Sequence, residues 1–393
     1  MRPNFHRLKG DENKSAPRFP RVYDKLIANR IFTASICYCP SMEDVLCDIS
    51  AFRYHRTPPY VLNLLPPVPS PCQDRRRLAL AKHPLVSHDA KPLVHLLVRD
   101  KSHYRKNQSI QTHLTTGDLP FGSIIKTPLG VKVTSPLFTL LQMAGHLPVV
   151  QLTMAMYELC GTFAVFKPSE TTEAVLAQAA DLKLDLHSTW KRVKDASGTP
   201  TDLWQRPPLI EIDELQRFAT KITGMHNYRR FQEAADYVTG VAASPFEAQL
   251  SMLLALPRKL GGEGFAGLSN NARIPLSRKA TRIAGRSTCY ADILFESSND
   301  KRPLIVECQG KLIHNNPMSL MSDSDRMAAL QEMGYSVLPL TYGQICDVKN
   351  FDTVKRHIAR EIGIGYQEKS TRQLKIEQEL RRNLLIDWNT LGM

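Results

Sequence analysis

The sequence predicts a mixed α/β protein in two parts, an α+β N-terminal region followed by a C-terminal α/β domain with a mixed central sheet flanked by helices. Three observations carry this. Short apolar runs broken by Gly and Pro follow Lys91, segments of helical periodicity follow them, and the last third runs helix, two strands, helix. At 393 residues, 42% hydrophobic and 23% charged, the chain is long enough for two or three domains and has the make-up of a globular protein.

Residues 1–20 are polar, basic and proline-containing and read as a disordered arm. VYDKLIANRIFTASICY and SMEDVLCDISAFRYHR read as helices, the second capped by Ser41 with Glu43 in its first turn. The prolines from Pro58 to Pro71, ending in Asp74-Arg75-Arg76-Arg77, read as a linker or a long loop. PLVHLLVRD is a buried-strand candidate, and SIQTHL, SIIKTPLG and VKVTSP continue as short strands. Ser135, with Pro136 just inside, opens two packed helices in which Met143, Met154 and Met156 belong to the core. TEAVLAQAADLKLDLHSTWKRV and IDELQRFATKIT read as helices separated by the polar DASGTPTDLWQRPP. The last segment, 366–393, is a helix that either docks a partner through Leu380, Leu384, Trp388 and Leu391 or folds back on the body.

Several function classes are disfavoured. No apolar run approaches the roughly 18–20 residues that cross a bilayer, and the N-terminus lacks the apolar segment of a secretory signal, so the expectation is a cytoplasmic protein without a membrane partner. The eight cysteines contain no CxxC pair, which indicates neither a disulfide framework nor a zinc site. A net charge of +13 instead favours a phosphate-bearing partner.

The chemistry concentrates after Ser244. In SPFEAQLSMLLALP, Ser244 caps a helix, Pro245 occupies its first turn, and Glu247 is either a dipole-favoured first-turn acid or a functional one. STCYADILFE and PLIVECQG form a hairpin about SSNDKR; centring the turn on Asn299-Asp300 sets Asp292 opposite Glu307 and Tyr290 opposite Gln309, with Tyr290 on Asp292's face. Opposed carboxylates in an apolar hairpin need compensation. A divalent ion such as Mg²⁺ would supply it, as would a salt bridge to Arg286 or Arg282 or a slip of register. His314, in a loop, is a general base, a phosphate contact or a solvated side chain; Asp323 and Arg326 form a helical ion pair, or Arg326 buttresses the site. Arg273, Arg278, Lys279, Arg282 and Arg286, with no acid among them, make a phosphate-backbone strip or a solvated charged face.

These residues resemble the PD-(D/E)XK nuclease superfamily: an acid on a helix, then Asp292, then Glu307-x-Gln309 on the next strand. SPFEAQLSMLLALPRKLGGEGF, Asn271, YADILFE, VECQGKLIH, Asp323 with Arg326, and AALQEMGYSVLPLT are similar to nuclease-like domains related to very-short-patch-repair endonucleases. The resemblance implies a restriction-endonuclease-like fold over 241–365. It also implies that Asp292 and Glu307 hold Mg²⁺ or Mn²⁺, assisted by Glu247, with Asp323 in a supporting role and Arg326 on DNA. Gln309 stands where Lys, or Asp in the nearest relatives, is usual; it orients a water but is no general base, and Lys311 is the nearest substitute. More faintly, LLVRDKSHYRKNQSIQTHL and TPLGVKVTSPLFTLLQMA are similar to abortive-infection type IV (AbiEi-like) antitoxins, which implies an α+β region over 73–240 and a degenerate winged helix over 21–72, although no helix-turn-helix pattern is evident there. Arg99, Lys101, Arg105 and Lys106 suit DNA contact or an exposed loop equally. The expected function is metal-dependent hydrolysis of DNA phosphodiesters, the alternative a DNA-binding regulator or antitoxin that kept the nuclease fold and lost catalysis.

Overall fold

The computed structural model describes residues 45–65, 83, 93–104, 106, 110–127, 131–181, 189–296, 301–310 and 317–392, with backbone only for 103, 179–181 and 317–323. The N-terminal arm, the first expected helix, the Ser41 cap, Arg105, the 297–300 turn, Lys311 and His314 lie outside these residues, as does the side chain of Asp323.

The first sheet contains β1 (Val45–Leu46), β2 (Val94–Val98), β3 (Ile110–Leu114), β4 (Ile124–Lys126) and β5 (Lys132–Thr134), in the order β3-β2-β1-β5-β4. β1 runs antiparallel to β2 and parallel to β5, and β2 runs parallel to β3. The helix expected across this region therefore begins only with α1 (Asp48–Arg56), because Val45 and Leu46 bridge two strands instead. The expected proline linker opens with a second helix, α2 (Pro59–Leu64), whose Pro59 occupies the first turn, where its missing N–H costs nothing.

α3 (Pro136–Met143) and α4 (Val149–Cys160) follow, with Ser135 Oγ accepting the Phe138 N–H at 3.4 Å. α4 is apolar almost all round and buried accordingly, and Met143, Met154 and Met156 are core residues at 0% exposure. Next come β6 (Phe163–Val165), α5 (Glu170–Asp181), β7 (Lys191–Lys194) and β8 (Pro200–Gln205), forming an antiparallel sheet ordered β6-β8-β7. The helical reading of 191–193 and the spacer reading of 200–205 both give way to strands. Asp195 Oδ1 accepts the N–H groups of Ser197 and Thr199, each at 2.9 Å, and Gly198 takes φ 85, so a tight turn pairs its flanks. Trp204, buried completely, anchors that pair.

After α6 (Ile212–Lys221), α7 (Tyr228–Asp236) and α8 (Pro245–Ala255), the C-terminal sheet comprises β9 (Leu268–Pro275), β10 (Thr288–Phe295), β11 (Leu304–Gln309) and β12 (Ser336–Thr341), in the order β12-β11-β10-β9. The sheet is mixed: β9, β10 and β11 are antiparallel neighbours, and α10 (Pro317–Glu332) carries the chain to the parallel β12. α9 (Arg278–Ala284) joins β9 to β10, and α11 (Tyr342–Cys346), α12 (Val348–Glu361) and α13 (Thr371–Leu384) complete the chain.

One apolar cluster runs across the boundary near residue 241, joining Phe52, Leu97, Tyr157 and Phe231 to Leu250, Ile293, Val306 and Phe351. Leu380, Leu384, Trp388 and Leu391 are buried in it, so the C-terminal helix folds back and these side chains are not a docking face. Among the described residues no helix is long and apolar enough to cross a membrane.

Candidate functional site

The C-terminal sheet and α8 bring together three acids that the sequence spaces far apart. Ser244 accepts the Glu247 N–H at 3.2 Å and donates its hydroxyl to Glu247 Oε1 at 2.9 Å, while the Ala243 N–H donates to Oε2 at 2.7 Å. This reciprocal cap makes Glu247 the helix-start acid of the plainer reading. It is also buried, at 7% exposure, unlike an ordinary capping acid. Burial first, and then the charges of Asp292 and Glu307, push its pKa upward despite the hydrogen bonds that oppose the shift.

The hairpin register is the one the turn centre predicts: Ile293 pairs with Val306, Leu294 with Ile305 and Phe295 with Leu304. Carried one step further, that register sets Asp292 opposite Glu307. The ladder itself stops short of that step, at Ile293 and Val306, and the expected pairing of Tyr290 with Gln309 is not made. In its place the Cys308 N–H donates to Asp292 Oδ2 at 2.7 Å, so a side chain takes the donor that a strand carbonyl would otherwise satisfy and the two strands part at the acids. β11 continues alongside β12 as far as Gln309 opposite Thr341.

β9 contributes a second irregularity. Asn271 has φ 51, and the β9–β10 ladder skips the Asn271–Asp292 step. Ala291 and Cys289 pack with Ile305 and Leu294, whereas Ile293 and Phe295 enter the main core, so the side-chain alternation changes phase at Asp292. That change separates Asp292 from the half-exposed Tyr290, whose face it was expected to share.

Glu307, 5% exposed, meets Arg326 of α10, whose Nη2 donates to Oε2 at 2.5 Å. Arg326 is thus bonded to this oxygen, in the buttressing position. A cavity of about 60 Å³ is lined by Asp292, Glu307, Gln309 and Arg326 together with Cys308 and the apolar Leu330 and Val337. Burial, followed by the charges of Asp292, Glu247 and Glu307, pushes the Cys308 thiol far up and disfavours its thiolate. Arg273, Arg278, Lys279, Arg282 and Arg286 are all exposed, and Lys279 pairs with Glu332 at 3.1 Å.

Sequence reasoning missed Asn270. Its Nδ2 donates to Ser251 Oγ at 2.7 Å and to the Asp292 carbonyl at 3.1 Å, and its Oδ1 accepts from Thr239 Oγ1 at 2.7 Å. Asn270 therefore ties α8 to β10 at the acids. An Asn inside the unrecognised strand β9, next to Asn271, was the available signal. A buried network of Lys355, Lys369, Glu263 and Glu377 was also missed; its two cations face two carboxylates, which fits a structural role.

A third missed group lies in the N-terminal region. Among the described residues, the set of three or more His, Cys, Asp or Glu with ligand atoms all within 4.8 Å of one another is Asp48, His95 and His113; the acidic trio is not a second such set. Burial would raise the Asp48 carboxyl, but the hydrogen bond from His146 and the nearby His95 ring outweigh it and hold the carboxyl well below the usual range. Burial, partly offset by Asp48, lowers His113. No family model, curated protein or solved structure matches this chain.

Proposed function

We propose that this protein is a metal-dependent DNA phosphodiester hydrolase whose reaction centre is Glu247, Asp292 and Glu307. The observation that carries the reading is a cavity lined by Asp292, Glu307 and Arg326 where β10 and β11 part, with the buried Glu247 close enough for its carboxyl to feel the charge of both other acids. A mixed sheet flanked by helices, with one acid on a helix and two on adjacent strands, is also the arrangement the PD-(D/E)XK resemblance implies.

The donor set fits Mg²⁺ or Mn²⁺. It is all oxygen and carries excess negative charge, and two of its members, Asp292 and Glu307, line a cavity with room for a few waters. Asp292 and Glu307 would hold the ion with Glu247 beside them, and the bound ion would polarise a phosphoryl oxygen and lower the pKa of the attacking water. Gln309, on the cavity wall, orients that water through its amide but cannot accept its proton as a base. Arg326, a quarter exposed, turns from Glu307 toward the phosphate, and the exposed strip on β9 and α9 tracks the DNA backbone independently of sequence.

A DNA-binding regulator without catalysis is the second reading. Gln309 in place of a cationic residue favours it, as does an Arg326 that already neutralises Glu307. A plasmid-nicking assay with Mg²⁺ or Mn²⁺, comparing wild type with Asp292→Ala and Glu307→Ala, separates the two. Cleavage by wild type that both substitutions abolish supports the hydrolase. DNA binding without cleavage by wild type rejects it in favour of the regulator.

A further inference from the structure

Four separate elements deliver one carboxylate and three imidazoles to one place beside the first sheet. β2 and β3 are parallel, with His95 opposite Gln111 and Leu97 opposite His113, so the two histidines share a sheet face. Their rings stack with centroids 5.1 Å apart. β1 delivers Asp48 over them: the Cys47 N–H donates to the His95 carbonyl at 3.0 Å, and the chain then turns into α1 through Asp48 at φ 51. Left-handed backbone is unusual for a residue other than Gly, and here the Asp48 N–H is held by Gln142 Oε1 at 3.2 Å. The turn after α3 supplies His146, whose Nε2 donates to Asp48 Oδ1 at 2.7 Å.

Asp48 is fully buried, and its Oδ2 has no hydrogen-bond partner. His113 Nε2 lies 3.5 Å from this oxygen and His95 Nδ1 lies 3.6 Å from it, while the two ring nitrogens are 2.9 Å apart. Ligands at about 2.0–2.1 Å from a tetrahedral ion stand about 3.3–3.4 Å from one another. The observed triangle brackets that edge, with its short side where two imidazoles share a proton. A hydrogen-bonded structural cluster would be expected to aim a ring N–H at Oδ2, because leaving a buried carboxylate oxygen unsatisfied is costly.

We propose that Asp48, His95 and His113 form a binding site for a divalent transition ion, Zn²⁺ foremost, separate from the acidic cleft and different from it in ligand chemistry. Two imidazoles and one carboxylate suit borderline ions such as Zn²⁺, Co²⁺ or Fe²⁺, whereas Mg²⁺ prefers an all-oxygen set. Three protein ligands leave a fourth position for water. His146 braces the second carboxylate oxygen from outside, the outer-shell contact that orients a ligating carboxylate. The His113 and His146 side chains, 25% and 43% exposed, leave the ion a way in.

The test uses the full chain after chelator dialysis, with Co²⁺ as a spectroscopic probe and Zn²⁺ as competitor. Wild type should bind one Co²⁺ tightly, with the ligand-field bands of a four- or five-coordinate nitrogen and oxygen site and without a thiolate charge-transfer band, and Zn²⁺ should displace it. His113→Gln and His95→Gln should each weaken binding by roughly a hundredfold or more. Asp292→Ala should bind as wild type does. Wild type that binds no Co²⁺, a thiolate band assigning the ion to cysteines, or unchanged affinity in both histidine variants would overturn the site. Should either variant fail to fold by circular dichroism, X-ray absorption of the zinc-loaded wild type decides: imidazole scattering from two histidines supports the site, and its absence rejects it.

Discussion

The acidic cleft and the histidine cluster both bury carboxylates, yet their surroundings act in opposite directions. In the cleft, Glu307 meets the guanidinium of Arg326, and Glu247 is driven toward its protonated form by burial and by the like charge of Asp292 and Glu307. In the cluster, one carboxylate sits among three imidazoles, and Asp48 is held ionised although it is the more deeply buried. Burial alone therefore does not set the protonation state; the charge and donor capacity of the neighbours do. The same difference sorts metals, since excess oxygen charge invites a hard ion and an imidazole pair a borderline one.

The largest effect that could break this comparison is catalytic. Asp292→Ala or Glu307→Ala should reduce Mg²⁺-dependent nicking by at least about a thousandfold, or ~4 kcal/mol of transition-state stabilisation, and leave Co²⁺ binding intact. His113→Gln should do the reverse. Equal loss of nicking in His113→Gln would mean that the two groups are one functional unit.

Acid unfolding gives the next largest effect. His55 is buried with Nε2 donating to the Thr134 carbonyl at 2.7 Å, and burial lowers its pKa to about 4. The unfolded chain then takes up the proton first, so the stability from neutral His55 is present above about pH 6.5 and is lost toward pH 4, at most about 3 kcal/mol. Glu247 has the opposite sign: its raised folded pKa contributes stability that is complete below the unfolded value of about 4.3 and lost as pH rises. Urea denaturation between pH 7 and pH 4 should therefore show a steeper acid loss in Glu247→Gln and a shallower one in His55→Gln. Identical slopes in all three proteins would remove both assignments.

A smaller effect probes the backbone behind the cleft. Gly240 has φ 143, and a Cβ there would lie 2.8 Å from the Asn270 carbonyl oxygen. Gly240→Ala should cost about 2 kcal/mol in thermal unfolding and lower nicking through displacement of Asn270. Wild-type stability in this variant would deny the close approach any importance. Smallest of all, Arg278→Gln with Arg282→Gln should lower the salt dependence of DNA binding by about 0.9 in log–log slope for each phosphate that is no longer neutralised. An unchanged slope would make the strip a solvated face.

What could be read from residue order divides along the range of the interactions involved. The caps at Ser135 and Ser244 were legible because each is decided within one helical turn. The hairpin register was legible because a short turn leaves few pairings that keep both apolar faces buried. β9 was not, since Asn and Pro are poor strand formers and the strand is defined by its long ladder with β10. Nor was the phase change at Asp292, which depends on a left-handed Asn271 in a neighbouring strand. Arg326 was singled out through its spacing from Asp323, but its bond to Glu307 follows from how α10 lies over the sheet.

By itself, then, the sequence determined a mixed α/β chain, the strand pair that opposes Asp292 and Glu307, a helix start at Glu247 and a basic stretch beside them. Each of these depends on periodicity, capping or a short turn, which act over a few residues. Tertiary structure alone decided that Glu247 joins the other two acids, that the C-terminal helix closes the core, and that Asp48 meets His95, His113 and His146. Those meetings depend on the packing of elements distant in the chain, and no local spacing encodes where a buried face will come to rest.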